Sequence, residues 1–147
     1  MSSVNGNDVF RLFCTYAGMT TMKMMLLSYY TARFRFKNSV VANPEDRTSK
    51  SSKVGTNIDE DVERVRRCHL NDLENIVPFL FLGFLYALSE PSVFAASMHY
   101  RIFFASRVLH SIAYLAPLPQ PSRAFCFTVG WIVNASMAWN VIKLGMF

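Results

Sequence analysis

Arg66-Arg67-Cys68-His69-Leu70-Asn71-Asp72-Leu73-Glu74-Asn75 runs without a break into the uncharged apolar residues 76–88. A polar head joined to an apolar continuation marks a helix that enters a membrane from its surface. On such a helix Arg67, Asn71 and Glu74 stand at i, i+4 and i+7, so a cation, an amide and a carboxylate share one face. That face suits a small zwitterionic ligand. The competing reading is a solvated helix end held by i,i+3 and i,i+4 pairs. The apolar continuation favours the membrane-surface site.

Three further apolar blocks flank this one. Residues 10–32 carry only Arg11 and Lys23 as charges, residues 93–116 only Arg101 and Arg107, and residues 124–146 only Lys143. Each reaches the roughly 20 residues that cross a bilayer as helix. The 76–88 block is shorter, and a helix that begins in the preceding polar stretch completes its span. The expected fold is therefore an all-α integral membrane protein, a four-transmembrane-helix bundle. Its expected helices cover about 9–33, 61–89, 93–116 and 122–146, with a loop at about 34–60, all in one domain over 1–147. Composition agrees, with 52% hydrophobic and 14% aromatic residues concentrated in those blocks.

Nine basic residues (Arg33, Arg35, Lys37, Arg47, Lys50, Lys53, Arg64, Arg66, Arg67) lie between positions 33 and 67, whereas Ser89-Glu90-Pro91-Ser92 has none. The positive-inside rule places the long loop in the cytosol and, with four spans, brings the 117–123 turn to the same side. Before Phe10 there is neither Lys nor Arg, nor a small-residue cleavage pattern, so the first span is expected to be retained. The net charge of +5 is explained by attraction to anionic headgroups. No stripe of interleaved aromatic and basic residues points to nucleic acid. Cys14, Cys68 and Cys126 are well separated and lack zinc spacing, so neither a metal site nor a disulfide framework is expected. Asn43-Pro44-Glu45-Asp46 reads as an ordered turn, and residues 48–57 read as mobile. Pro78, just inside the second span, frees a backbone carbonyl or kinks the helix.

A second constellation lies in the third block, where Arg107, His110 and Tyr114 share a helical face at i, i+3 and i+7. An intramembrane arginine costs about 2.5 to 3.5 kcal/mol on insertion scales, so Arg107 needs a partner or a wet cavity. Helix glue through an acid such as Glu74 and direct ligand contact weigh evenly. Arg101 and His99 read as snorkelling or structural pairs, and Lys23 as packing at a subunit interface.

Taken together, Asn43 to Asp46, residues 62–79, residues 107–114 and Pro117-Leu118-Pro119-Gln120-Pro121-Ser122-Arg123 closely resemble the microsomal glutathione transferase branch of one family. That family is the membrane-associated proteins in eicosanoid and glutathione metabolism, MAPEG. The match runs from the first span to the C-terminal residues as several ungapped blocks in order. The resemblance implies a four-helix protomer, a homotrimer, and glutathione held between subunits near the cytosolic face of an endoplasmic reticulum or mitochondrial outer membrane. Its glutathione contacts fall on Arg35, Arg66, Arg67, His69, Asn71, Glu74, Tyr114 and Arg123, with Asp46, Arg107 and His110 as supporting polar residues. Arg123 is the expected catalytic residue, because a cation beside the sulfur favours thiolate over thiol. No metal is expected. The implied activity is conjugation of glutathione to hydrophobic electrophiles, with glutathione-dependent reduction of lipid hydroperoxides as an additional expectation.

The prostaglandin E synthase branch is also similar, but it has Arg, Ser and Tyr where this chain has Leu70, Ala124 and Phe127. Prostaglandin isomerisation is the runner-up, and a non-enzymatic lipid-binding scaffold of the same family is a further alternative. The resemblance also places a thiol-activated cysteine directly after Asn-Pro-Glu-Asp, where Arg47 stands here, which puts thiol activation by that route in doubt.

Overall fold

The computed structural model describes residues 2–47, 49–55 and 58–146, with side chains from Asp8 onward. Four helices dominate: α1 Ser2–Asn38, α2 Glu60–Leu88, α3 Val93–Leu115 and α4 Ser122–Met146. Helix α2 begins where Asp59 Oδ1 accepts the Val62 N–H at 3.0 Å, and Glu60, Asp61 and Glu63 place negative charge at its positive end. Ser92 caps α3 in the same way, accepting the Ala95 N–H at 3.2 Å. Ser39 and Glu90 adopt positive φ, 54° and 51°, where the chain leaves α1 and α2. Pro78 lies within α2, which continues through it.

Helix α1 extends five residues beyond the expected end at 33, so Arg35 and Lys37 stand on its last turn and not in a loop. Basic residues are favourable there against the helix dipole. Asn38 Nδ2 donates to Asp59 Oδ1 at 2.9 Å, tying the end of α1 to the start of α2. The connection between them is partly ordered. Strands β1 Val40–Val41 and β2 Lys53–Val54 pair in parallel, with Val40 opposite Lys53. Lys53 N–H reaches Ser39 O at 2.9 Å and Gly55 N–H reaches Val41 O at 3.0 Å. Of the stretch expected to be mobile, residues 49–55 are therefore anchored by backbone hydrogen bonds, while Thr48, Thr56 and Asn57 lie outside the described residues. The expected turn is a short 3₁₀ segment, Pro44–Asp46, with Asn43 Nδ2 donating to Asp46 Oδ2 at 3.1 Å.

The core is aromatic. Phe79 of α2 stacks on Phe103 of α3 with ring centroids 4.0 Å apart, and Phe13 of α1 meets Tyr100 of α3 at 5.9 Å. Gly83 makes room for this contact, since a Cβ there would stand 3.0 Å from the Phe13 ring. Tyr100 Oη donates to the Gly83 carbonyl at 3.0 Å, which removes the cost of a buried hydroxyl.

The outer surface is also apolar. Phe81, Phe94, Phe125, Trp131 and Trp139 are each more than half exposed, on three different helices. Such a surface fits lipid or a neighbouring subunit better than water. By length and apolarity alone, α4 is the one helix among the described residues that qualifies to cross a membrane. Charged residues inside α1 and α3, and the polar first half of α2, lower their mean hydropathy.

Candidate functional site

Val62, Val65, Cys68, Asp72, Ile76 and Phe79 recur every three or four residues along α2 and are all buried. Asp72 thus sits in the middle of the apolar stripe that faces the bundle. Lys23 Nζ from α1 donates to Asp72 Oδ2, and Arg107 Nη2 from α3 donates to Asp72 Oδ1 at 3.1 Å, with the Asp72 and Arg107 side chains fully enclosed. Two expectations change here. The acid that holds Arg107 is Asp72 and not Glu74, because Glu74 points away from the α2 core stripe and is exposed. Lys23 likewise pairs inside the protomer and not at a subunit interface. A buried arginine and a partly buried lysine on one carboxylate lock α1, α2 and α3 together.

Arg107 Nη2 shares its two hydrogens among Asp72 Oδ1, Asn71 Oδ1 at 2.6 Å and His110 Nδ1 at 3.1 Å. The His110 ring lies 5.7 Å from that of Tyr114, and the Arg123 guanidinium sits 4.8 Å from the Tyr114 ring centre. A continuous row of polar and aromatic side chains therefore leads from the buried Asp72 to the first turn of α4. At its outer end Arg67, Tyr114 and Arg123 line a cleft of about 310 Å³ with Glu60, Arg64, Pro117 and Leu118.

The remaining expected residues lie elsewhere in the single chain. Arg35 and Asp46 line a separate cleft of about 380 Å³ between the end of α1 and the loop. Glu74 lines a groove of about 270 Å³ between α2 and α4, together with Pro78, Leu82, Trp131 and Asn134. Arg66 Nε donates to both carboxylate oxygens of Glu63 at 3.0 and 2.9 Å. His69 is half-buried, and its Nδ1 has no partner among the described residues.

The buried side-chain polar atoms without a partner among the described residues include four guanidinium nitrogens: Arg35 Nη1, Arg107 Nε and Nη1, and Arg123 Nε. Buried donors normally find acceptors. A set of unpaired cationic donors fits an acceptor-rich, anionic ligand, and glutathione offers two carboxylates and a thiolate. At the start of α4 the backbone donors are largely taken already: Ser122 N–H by Pro119 O, Ala124 N–H by Gln120 Oε1 and Phe125 N–H by Pro121 O. Stabilisation of a negative charge there falls to the Arg123 side chain more than to the helix end.

Reasoning from the sequence missed Asp72, Glu60 and Asn134. The spacing of Asp72 from Val65, Cys68, Ile76 and Phe79 was the available signal for the first. Asn134 Nδ2 donates to Asn75 O at 3.2 Å across α2 and α4, a contact that no local pattern announces.

Residues 13–143 match the MAPEG family. Microsomal glutathione S-transferase 1 of Sus scrofa is 48% identical over 145 residues, covering 96% of this chain and 94% of that protein. The Homo sapiens protein of the same name is 46% identical over 151 residues, covering 100% and 97%. Prostaglandin E synthase of Bos taurus is 37% identical over 139 residues, covering 95% and 90%. With the profile spanning most of the chain and relatives matched nearly end to end, this chain belongs to the MAPEG family.

Proposed function

We propose that the chain is a membrane glutathione transferase, which ionises glutathione and presents the thiolate to hydrophobic electrophiles arriving through the bilayer. The observation that carries this is the cleft in which Arg67, Tyr114 and Arg123 converge, with Arg123 packed on the Tyr114 ring and its Nε left unpaired. Arg67 and Arg64 supply charge for carboxylate ends, and Glu60 in the same cleft suits an ammonium group. A free thiol titrates near 8.5, so little thiolate exists at neutral pH, and each unit of lowering takes about 1.4 kcal/mol of preferential stabilisation. The Arg123 cation is placed to provide it. The prostaglandin E synthase reading is weaker, since the identities to those proteins are lower and Leu70, Ala124 and Phe127 depart from that branch.

All four helices cross the membrane in this reading, and the long loop and the cleft face the cytosol. A homotrimer supports the site: Arg35, Arg66, His69 and Glu74 lie outside the cleft of their own chain, and an adjacent subunit would bring such residues to it. The membrane is that of the endoplasmic reticulum or the mitochondrial outer surface, and reduction of lipid hydroperoxides would use the same thiolate.

Purified, detergent-solubilised protein should conjugate glutathione to a chlorinated nitroaromatic. The thiolate absorbance of bound glutathione, followed against pH, should titrate below that of free glutathione. In Arg123→Leu that titration should move up and turnover at neutral pH should fall more than affinity. Absence of conjugation by the wild type would remove the transferase reading. Identical titrations in both proteins would leave Arg123 as an anchor only.

A further inference from the structure

We infer that Asp72 is a positioning residue: through Arg107 it fixes Asn71 and His110 as hydrogen-bond donors behind Tyr114, which lines the cleft, and so selects a negatively charged group of the ligand that reaches them. Guanidinium nitrogens donate and never accept. The 3.1 Å contact of Arg107 Nη2 with His110 Nδ1 therefore requires the Nδ1 lone pair, which leaves the ring proton on Nε2. The 2.6 Å contact with Asn71 Oδ1 engages the amide oxygen as an acceptor in the same way, which leaves the Asn71 NH₂ as a donor. Neither Asn71 Nδ2 nor His110 Nε2 has a hydrogen bond within the chain among the described residues. Both are left as donors.

Arg107 can impose this only while its own orientation is held. Asp72 does so from the α2 core stripe. Lys23 meets the other carboxylate oxygen, Oδ2, and leaves Oδ1 to Arg107. The cluster of Lys23, Asp72 and Arg107 carries one positive charge in excess, which also favours an anion at the donors it orients. This inference deepens the glutathione reading and rests on it for the identity of the ligand.

The test is nitrogen-15 NMR of histidine-labelled protein without ligand, with the His110 signals assigned by their loss in His110→Gln. In the wild type Nδ1 should be of the unprotonated type and Nε2 should carry the proton. In Asp72→Asn this preference should be lost to a mixture of tautomers, and glutathione affinity by calorimetry should fall roughly tenfold or more. Lys23→Gln should retain the wild-type tautomer. A purely structural Asp72 would lower stability and leave the tautomer unchanged.

A wild-type His110 protonated at Nδ1, or at both nitrogens, would overturn the inference, and this measurement stands even if Asp72→Asn does not fold. An unchanged tautomer and affinity in a folded Asp72→Asn would overturn it as well. Failure of the wild type to bind glutathione at all would instead count against the transferase reading, with the tautomer result still standing.

Discussion

Arg67 and Arg123 both line the cleft, and the proposed function gives them different tasks. Arg67 is exposed, lines the cleft and donates from Nε to the Glu63 carbonyl at 3.3 Å, which leaves its guanidinium Nη groups for a carboxylate in the proposed reading. Arg67→Ala should therefore weaken glutathione binding by about 1.5 to 3 kcal/mol, or one to two decades, while the fold survives. Titration calorimetry reads this directly, and unchanged affinity would take Arg67 out of the site. Arg107 behaves differently because it is fully buried. Arg107→Met would leave Asp72 with Lys23 alone and should destabilise the protein by about 3 to 5 kcal/mol, visible as a lowered midpoint in thermal unfolding.

At the scale of elements, the glycines of the bundle are not equivalent. Gly130 on α4 faces α3, where an added Cβ would stand 3.0 Å from Ser106 Oγ, and that hydroxyl is already engaged with Phe103 O at 2.7 Å. Gly130→Ala should cost about 1 to 3 kcal/mol through overpacking, less the gain in helix propensity. Gly18 on α1 has nothing within 4 Å of the same construction, so Gly18→Ala should be neutral or stabilising by up to about 1 kcal/mol. Thermal unfolding of the two variants side by side separates close helix packing from propensity.

The start of α2 offers a pH dependence. The Val62 N–H and the Asn38 amide donate to Asp59, and these bonds hold its carboxyl below the usual value of 3.8. A depressed carboxyl stabilises the fold above its ordinary value, and that contribution is lost as pH falls through the folded-state value. Between neutral pH and the ordinary carboxylate range the α1–α2 junction should therefore be unaffected. Below that range it should loosen in the wild type and not in Asp59→Asn, as amide exchange near Val62 would record.

At the scale of the molecule, the proposed site would couple ligand to assembly. If glutathione binds only the folded protein, then at a hundredfold excess over Kd it should stabilise by about 2.7 kcal/mol. Arg67→Ala should need correspondingly more glutathione for the same rise in unfolding temperature. Native mass spectrometry from detergent should give a trimer, and a monomer that still turns over would reject a site shared between subunits.

Sequence alone determined the helical class and the family. Apolar blocks separated by short polar turns admit few alternatives, and ordered runs such as residues 62–79 identify relatives without any coordinates. It also marked Arg67, Asn71, His110 and Tyr114, because chemistry-bearing residues that share a helical face stand out, and Arg123 through the family resemblance alone. What it could not decide was which charge meets which. Asp72 and Glu74 are two residues apart, but that step turns a helical side chain by about 200°, from the core to the surface. The partner of Arg107 and the place of Lys23 followed only from how three helices pack around one carboxylate. The division of the remaining candidates among separate clefts was equally a tertiary matter, since distance through space is set by packing and not by order along the chain.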